Sequence, residues 1–340
     1  MMQEKKDKIL EAKNLRVSFR SRGQEVQAVR GVSLDVYEGE ILGLVGESGS
    51  GKSVTMKAVL GILPENAEIR ADVLRLRDKE MTGISEEEYR RLRGSLMTMI
   101  FQDPMTALDP LMTVGRHLEE VIKRNSDLKN AAEIRAKSIE MLEKVGIPDA
   151  PSRLKQYPHE FSGGMRQRVL IAMALACEPR LLIADEPTTA LDVTIQAQIL
   201  DLLQELQQET QTSIVLITHD MGVVATVCQR VAIMYGGLIM EEGTADEIFY
   251  EPKHPYTKAL LRAIPSAEAM EDGGRLTAIE GLPPSLTNPP AGCPFAERCE
   301  FAGERCSCEL PVYTSFSETH RAMCHRCAEE GAAAGKEVRS

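Results

Sequence analysis

Apolar and polar residues alternate over 9–19 and again over 26–37, with Gly23 between them, which predicts two antiparallel strands joined by a turn. The next apolar run, Ile41 to Val45, is unbroken and predicts a buried strand. A helix is expected over 54–63, stopping near Pro64. The pattern then predicts a Ser-capped surface helix over 85–95, a strand over 96–102 and a mostly helical stretch over 113–156. Met165 to Cys177 predicts an apolar helix, and strands at 181–184 and 213–217 flank a helix at 193–209. Strands interleaved with helices mean an α/β core around a largely parallel sheet, with an antiparallel β subdomain before it and a helical lobe at about 105–178. From about residue 251 periodicity fades and proline becomes frequent, so a boundary is expected near 250–285, dividing a core at 1–250 from an extension at 251–340.

Composition narrows this picture. Aromatics make up 4% and Trp is absent, which suits an aliphatic α/β core, and 340 residues allow one large domain with an appendage. A net charge of −11 argues against a nucleic-acid binder held by phosphate neutralisation. No apolar run approaches the roughly eighteen residues needed to span a bilayer. The charged start, Met-Met-Gln-Glu-Lys-Lys-Asp-Lys, does not read as a secretory signal, so the chain is expected in the cytoplasm with its thiols reduced.

The strand at 41–45 runs directly into Gly46-Glu47-Ser48-Gly49-Ser50-Gly51-Lys52-Ser53, which fits G-x-x-x-x-G-K-[ST]. Its glycines let consecutive N–H groups point into one concavity, and the helix opening near Lys52 adds its positive end. Lys52 can reach the β- and γ-phosphates of a nucleotide, and the Ser53 hydroxyl can hold Mg²⁺. A Gly/Ser linker would have neither the apolar strand before it nor the helix-compatible run after it. The strand at 181–184 ends in Asp185 and Glu186, at the sheet edge where α/β proteins bind ligands. Asp185 is placed to order the Mg²⁺ water shell and Glu186 to polarise an attacking water. Ser162-Gly163-Gly164 opens a helix and makes a second anion site, which makes sense if it serves another nucleotide.

The ordered set Gly46–Ser53, Gln102, Phe161-Ser162-Gly163-Gly164-Met165-Arg166-Gln167-Arg168, Asp185-Glu186, Ala190-Leu191-Asp192 and His219 resembles an ABC-transporter ATPase subunit over about residues 9–250. The resemblance implies a P-loop NTPase fold and a role for each position. Phe19 would stack on adenine, a core position being the alternative, and Gln102 would contact Mg²⁺ and relay nucleotide state to membrane subunits. Ser162, Gly163 and Gly164 would contact the γ-phosphate held by the opposite subunit. Asp192 would lie at the dimer interface, and His219 would hold the γ-phosphate. Phe161 and Met165 depart from the commoner Leu and Gln of the signature, and both variations resemble the peptide-transporter branch.

His254-Pro255-Tyr256-Thr257-Lys258-Ala259-Leu260 and Gly281-Leu-Pro-Pro-Ser-Leu resemble the C-terminal extension of oligopeptide and dipeptide permease ATPases. Cys293, Cys299, Cys306, Cys308, Cys324 and Cys327 then fall within 35 residues of Pro-rich chain. Disulfides conflict with the expected compartment, so a metal is the better reading. The spacing of Cys293, Cys299, Cys306 and Cys324 resembles the peptide-permease set associated with a [4Fe–4S] cluster, while the Cys324-x₂-Cys327 knuckle keeps zinc open.

Together these features imply a peripheral ATPase on the cytoplasmic face of a membrane, powering import of oligopeptides or dipeptides. The implied partners are a second, homologous ATPase subunit, two permease subunits and, through them, an extracytoplasmic solute-binding protein, with no nucleic acid. An importer of nickel or another solute of the same branch is the alternative. A soluble ABC ATPase acting on nucleic acid is disfavoured by the single cassette and the acidic charge.

Overall fold

The computed structural model describes residues 7–21, 23–189, 191–264 and 279–329. These divide into two compact units, one drawn from 1–9, 36–41 and 83–217, the other from 10–35, 42–82 and 218–340.

In the first unit three parallel strands, β7 (Met97–Ile100), β8 (Leu181–Asp185) and β9 (Ser213–Thr218), lie side by side in that order. β8 and β9 are buried throughout, so they read as unbroken apolar runs rather than alternating ones. Helix α2 (Glu86–Leu92) carries the expected Ser85 cap, completed as a capping box by Glu88. Four helices follow: α3 (Pro104–Ala107), α4 (Val114–Asn125), α5 (Ala131–Lys144) and α6 (Ala150–Arg153). They form the predicted helical region, which α7 (Gly163–Leu175) packs against. α8 (Val193–Thr210) ends where Gln211 turns left-handed.

The second unit holds a five-stranded sheet and a second, mixed set of strands. In the five-stranded sheet β1 (Lys8–Ser21) lies between β2 (Gln24–Tyr37) and β5 (Val73–Leu76). β6 (Lys79–Glu80) continues the edge, and β4 (Ala67–Arg70) pairs antiparallel with β1. The second set begins with β3 (Ile41–Val45), which pairs parallel with β10 (Arg230–Tyr235). β10 is antiparallel to β11 (Leu238–Thr244), which pairs with β13 (Arg321–Met323), itself beside β12 (Tyr313–Ser315). The cysteine-rich chain thus adds two strands to the edge beyond β11. Helix α1 (Lys52–Val59) stops earlier than Pro64 would require, because Gly61 takes φ +64° and ends it first. The short helices α9 (Met221–Val227), α10 (Ala245–Tyr250), α11 (Pro255–Arg262) and α12 (Glu304–Cys308) complete this unit.

Candidate active site

The phosphate loop grows out of β3, whose five residues are all buried, so its starting point is fixed by the core. At Gly46 a Cβ would lie 2.0 Å from the Met234 carbonyl oxygen, and only glycine fits. Gly51, at φ +104°, is held as tightly, with its Cβ position 2.5 Å from the Ala28 carbonyl. Lys52 is 5% exposed, and its Nζ donates to the carbonyls of Gly46 and Glu47 at 2.7 and 2.9 Å. The ammonium therefore rests on the loop itself, where an incoming phosphate can compete for it. Ser50 Oγ is buried without a hydrogen-bond partner, a cost of about 1–3 kcal/mol that a phosphate oxygen would relieve. Ser48 and Gly49 are exposed at the tip and Ser53 is half-buried on α1.

Glu47 behaves differently from its neighbours. Its carboxylate is turned to Arg298, which donates to both oxygens, and its N–H donates to the Tyr256 hydroxyl at 3.1 Å. Phe19 is half-buried on β1 opposite Ala67, so it is not a core residue. His219 is exposed just beyond β9, next to Asp220, which caps α9 through the N–H groups of Gly222 and Val223.

In the first unit Asp185 closes β8 and is 2% exposed. Glu186 follows with φ +47°, a conformation that costs of order 1 kcal/mol for a non-glycine residue and is secured by its N–H bond to the Ile217 carbonyl at 2.9 Å. Glu186 Oε2 accepts from Gln102 Nε2 at 2.8 Å and from Thr189 Oγ1 at 2.9 Å. Two groups predicted from separate motifs are therefore brought into contact. Ser162 caps α7, its hydroxyl accepting from the Met165 N–H at 3.3 Å. A Cβ on Gly164 would meet Ile195 Cγ2 at 2.6 Å, so this glycine also admits α8. Asp192 caps α8 by accepting from the Ile195 N–H at 3.0 Å, while Ala190 lies outside the described residues.

Cys293, Cys299, Cys306 and Cys324 line one small cavity in the second unit, together with His254, Phe295 and His325. Burial pushes the Cys293 thiol up to about 12, and the adjoining cysteines add to the effect. Burial also raises Cys299, whereas a hydrogen bond from Cys327 lowers Cys324 to about 6. Cys293 and Cys299, raised in this way, need a cation beside them to serve as thiolates. Among the described residues no three His, Cys, Asp or Glu side chains are already gathered tightly enough to hold a metal ion. Cys308 is exposed on α12 and does not line the cavity.

Thr189, Tyr235 and Arg298 are contributors that sequence motifs do not mark. Thr189 lies three residues past Glu186, but Arg298 reaches Glu47 across 251 residues and leaves no local spacing to read.

A glycine loop set between a buried strand and a helix opened by lysine, and in the first unit a strand that ends in an acid, are the marks of a P-loop nucleotide-binding protein. The chain matches the ABC transporter family over residues 29–189 and the oligopeptide/dipeptide transporter C-terminal region over residues 240–306. It is 52% identical to the dipeptide transport ATP-binding protein DppD of Bacillus subtilis (strain 168), over 94% of each chain. It is 47% identical to the oligopeptide transport ATP-binding protein OppD of Escherichia coli (strain K12), over 97% of this chain and 96% of that one. The fold is similar to the ATP-binding cassette MJ0796, solved as a dimer in a post-hydrolysis state with ADP and Pi. The TM-score is 0.61 at 27% identity, covering 69% of this chain and 98% of that chain. The chain belongs to the family of oligopeptide/dipeptide ABC-transporter ATP-binding proteins.

Proposed function

We propose that this chain is the ATP-hydrolysing subunit of a membrane importer for oligopeptides or dipeptides. The observation that carries the peptide assignment is the match of residues 240–306 to the peptide-transporter C-terminal region, in a chain 52% identical to a dipeptide-transport relative. In this reading residues 1–250 form the ATPase domain, with its helical lobe at about 105–178, and 251–340 form the peptide-permease extension. Lys52 and the loop N–H groups of Gly46–Ser53 bind the phosphates of ATP. Ser53, Gln102 and Asp185 would hold Mg²⁺, which would supply charge neutralisation of the phosphates. Glu186 takes the proton of the attacking water and His219 steadies the γ-phosphate. Catalysis is then a matter of positioning and charge, with little covalent work for the protein. Phe19 stacks on the base.

A second, homologous ATPase subunit receives Ser162, Gly163, Gly164 and Asp192 at its own nucleotide. Two permease subunits dock on the exposed apolar side chains Phe101, Met105 and Leu111, which support this reading because buried cores normally claim such residues. An extracytoplasmic solute-binding protein delivers peptide to those permeases. No helix among the described residues is long and apolar enough to cross a membrane, in keeping with a peripheral subunit at the cytoplasmic face. Cys293, Cys299, Cys306 and Cys324 would hold a [4Fe–4S] cluster, or zinc as the alternative, drawing closer together around it. Four thiols around one cavity, in a segment with little regular structure, support a structural metal there.

The test is ATP hydrolysis by the assembled transporter in proteoliposomes, with binding protein loaded with peptide or with chelated nickel. Stimulation by peptide is expected. Stimulation by nickel alone would overturn the peptide assignment and leave the ATPase assignment standing.

A further inference from the structure

Between Cys293 and Cys299 the chain carries two side chains that reach the support of the phosphate loop. Phe295 is buried, with its ring 5.5 Å from Tyr235 and 5.2 Å from Tyr256 by centroid, and the two tyrosines are 4.5 Å apart. Arg298 has a side chain only 6% exposed. Its Nη1 donates to the two carboxylate oxygens of Glu47 at 3.0 and 2.8 Å and to the Tyr235 hydroxyl at 2.9 Å. Its Nε and Nη2 donate to the carbonyls of Glu280 and Ile279 at 2.9 and 3.0 Å. The guanidinium is thus fixed on one side by backbone and presents the other to the loop. Pro283, Pro284 and Leu286 line a cleft against Glu47–Ser50 beside it.

Glu47 puts a negative charge on a loop built to take a polyanion. Left uncompensated, that carboxylate would oppose the phosphates and leave the loop without its lateral anchor. A buried guanidinium on a carboxylate is a directional, charge-assisted contact that corrects both faults. We propose that Arg298 is a positioning residue of the nucleotide site, holding Glu47 so that the cysteine-rich extension sets the charge and shape of the phosphate loop and hence the affinity for ATP. The proposal rests on the ATPase reading above. A mere staple of the extension would change stability without changing the affinity of the folded protein.

The experiment is a titration of the full-length chain with a fluorescent ADP analogue, with thermal unfolding of each variant alongside. Arg298→Ala should weaken binding about tenfold, the scale of one charge-assisted hydrogen bond, and Arg298→Lys should recover part of the loss. In steady state the KM for ATP should rise by more than any change in kcat. The decisive comparison is the Glu47→Ala background, where Arg298→Ala should change affinity less than about twofold because no carboxylate remains to be compensated. Unchanged affinity in Arg298→Ala, or an equal effect with and without Glu47, would overturn the proposal. Should Arg298→Ala fail to fold, Arg298→Lys with and without Glu47→Gln makes the same comparison. A wild-type chain that binds no nucleotide would overturn the ATPase reading, and this proposal with it.

Discussion

Gln102 Nε2 donates to Glu186 Oε2 at 2.8 Å, joining two residues 84 positions apart and giving the carboxylate a fixed direction. Thr189 Oγ1 donates to the same oxygen at 2.9 Å and reinforces that direction. Glu186→Gln should lower ATP hydrolysis by about 10²–10⁴-fold, the usual worth of a general base, and should trap an ATP-bound dimer. Turnover and size-exclusion chromatography with ATP check it. Normal turnover in this variant would remove Glu186 from the role.

Gly164 and Ile195 test whether the signature glycine also serves packing. Gly164→Ala would set a methyl 2.6 Å from Ile195 Cγ2, and a β-branched side chain has little freedom to give way. A loss of about 1–3 kcal/mol in denaturant unfolding is expected, in spite of alanine's better helix propensity. Adding Ile195→Ala should restore much of it. A fully stable Gly164→Ala chain would rule out the packing role.

Much of this site was legible because its residues are contiguous. Gly46–Ser53, the Ser85 cap and the acid pair after β8 each carry their signal within a few positions. β10 and β11 were not assigned, although Gly236-Gly237 between them is a hairpin signal. Glu241 and Glu242 break the apolar run of β11, yet both are buried. Glu241 is bonded by His320, and Glu242 by Arg230 and Arg321. Those partners come from elsewhere in the chain, and no window along the sequence shows that the buried carboxylates are hydrogen-bonded. The same distance hides Arg298 from Glu47. β12 and β13, three residues each, are too short to display a period.

Cys177 gives a pH dependence of definite sign. Burial lifts its thiol from 9.0 to about 11, so the native fold resists the thiolate that the unfolded chain forms readily. Its contribution is complete below pH 9 and is lost as pH rises from 9 to 11, to a limit of about 3 kcal/mol. Between pH 8 and 10.5, wild type should lose about 2 kcal/mol more stability than Cys177→Ala. Equal losses would show that the thiol ionises without hindrance. Iodoacetamide at pH 8 should accordingly label exposed Cys308 well before Cys177.

The cysteine cavity is tested by colour and analysis. Anaerobically purified protein should be brown, carry about four irons per chain with matching sulfide, and bleach with dithionite. Cys299→Ala should abolish the absorption, and Cys308→Ala should leave it intact. A colourless protein with one zinc would assign the cavity to zinc.

The pairing of Arg298 with Glu47 also has a consequence for biosynthesis. The two residues leave the ribosome 251 positions apart, an interval of roughly 10–50 s at 5–20 residues per second. Throughout that interval the nascent phosphate loop carries its carboxylate without the arginine, and β11 lacks the two strands that later cover its edge. The arginine that steadies the loop is therefore made long after the loop itself, so on the proposal above a chain not yet extended past residue 298 binds nucleotide more weakly than one that carries the arginine.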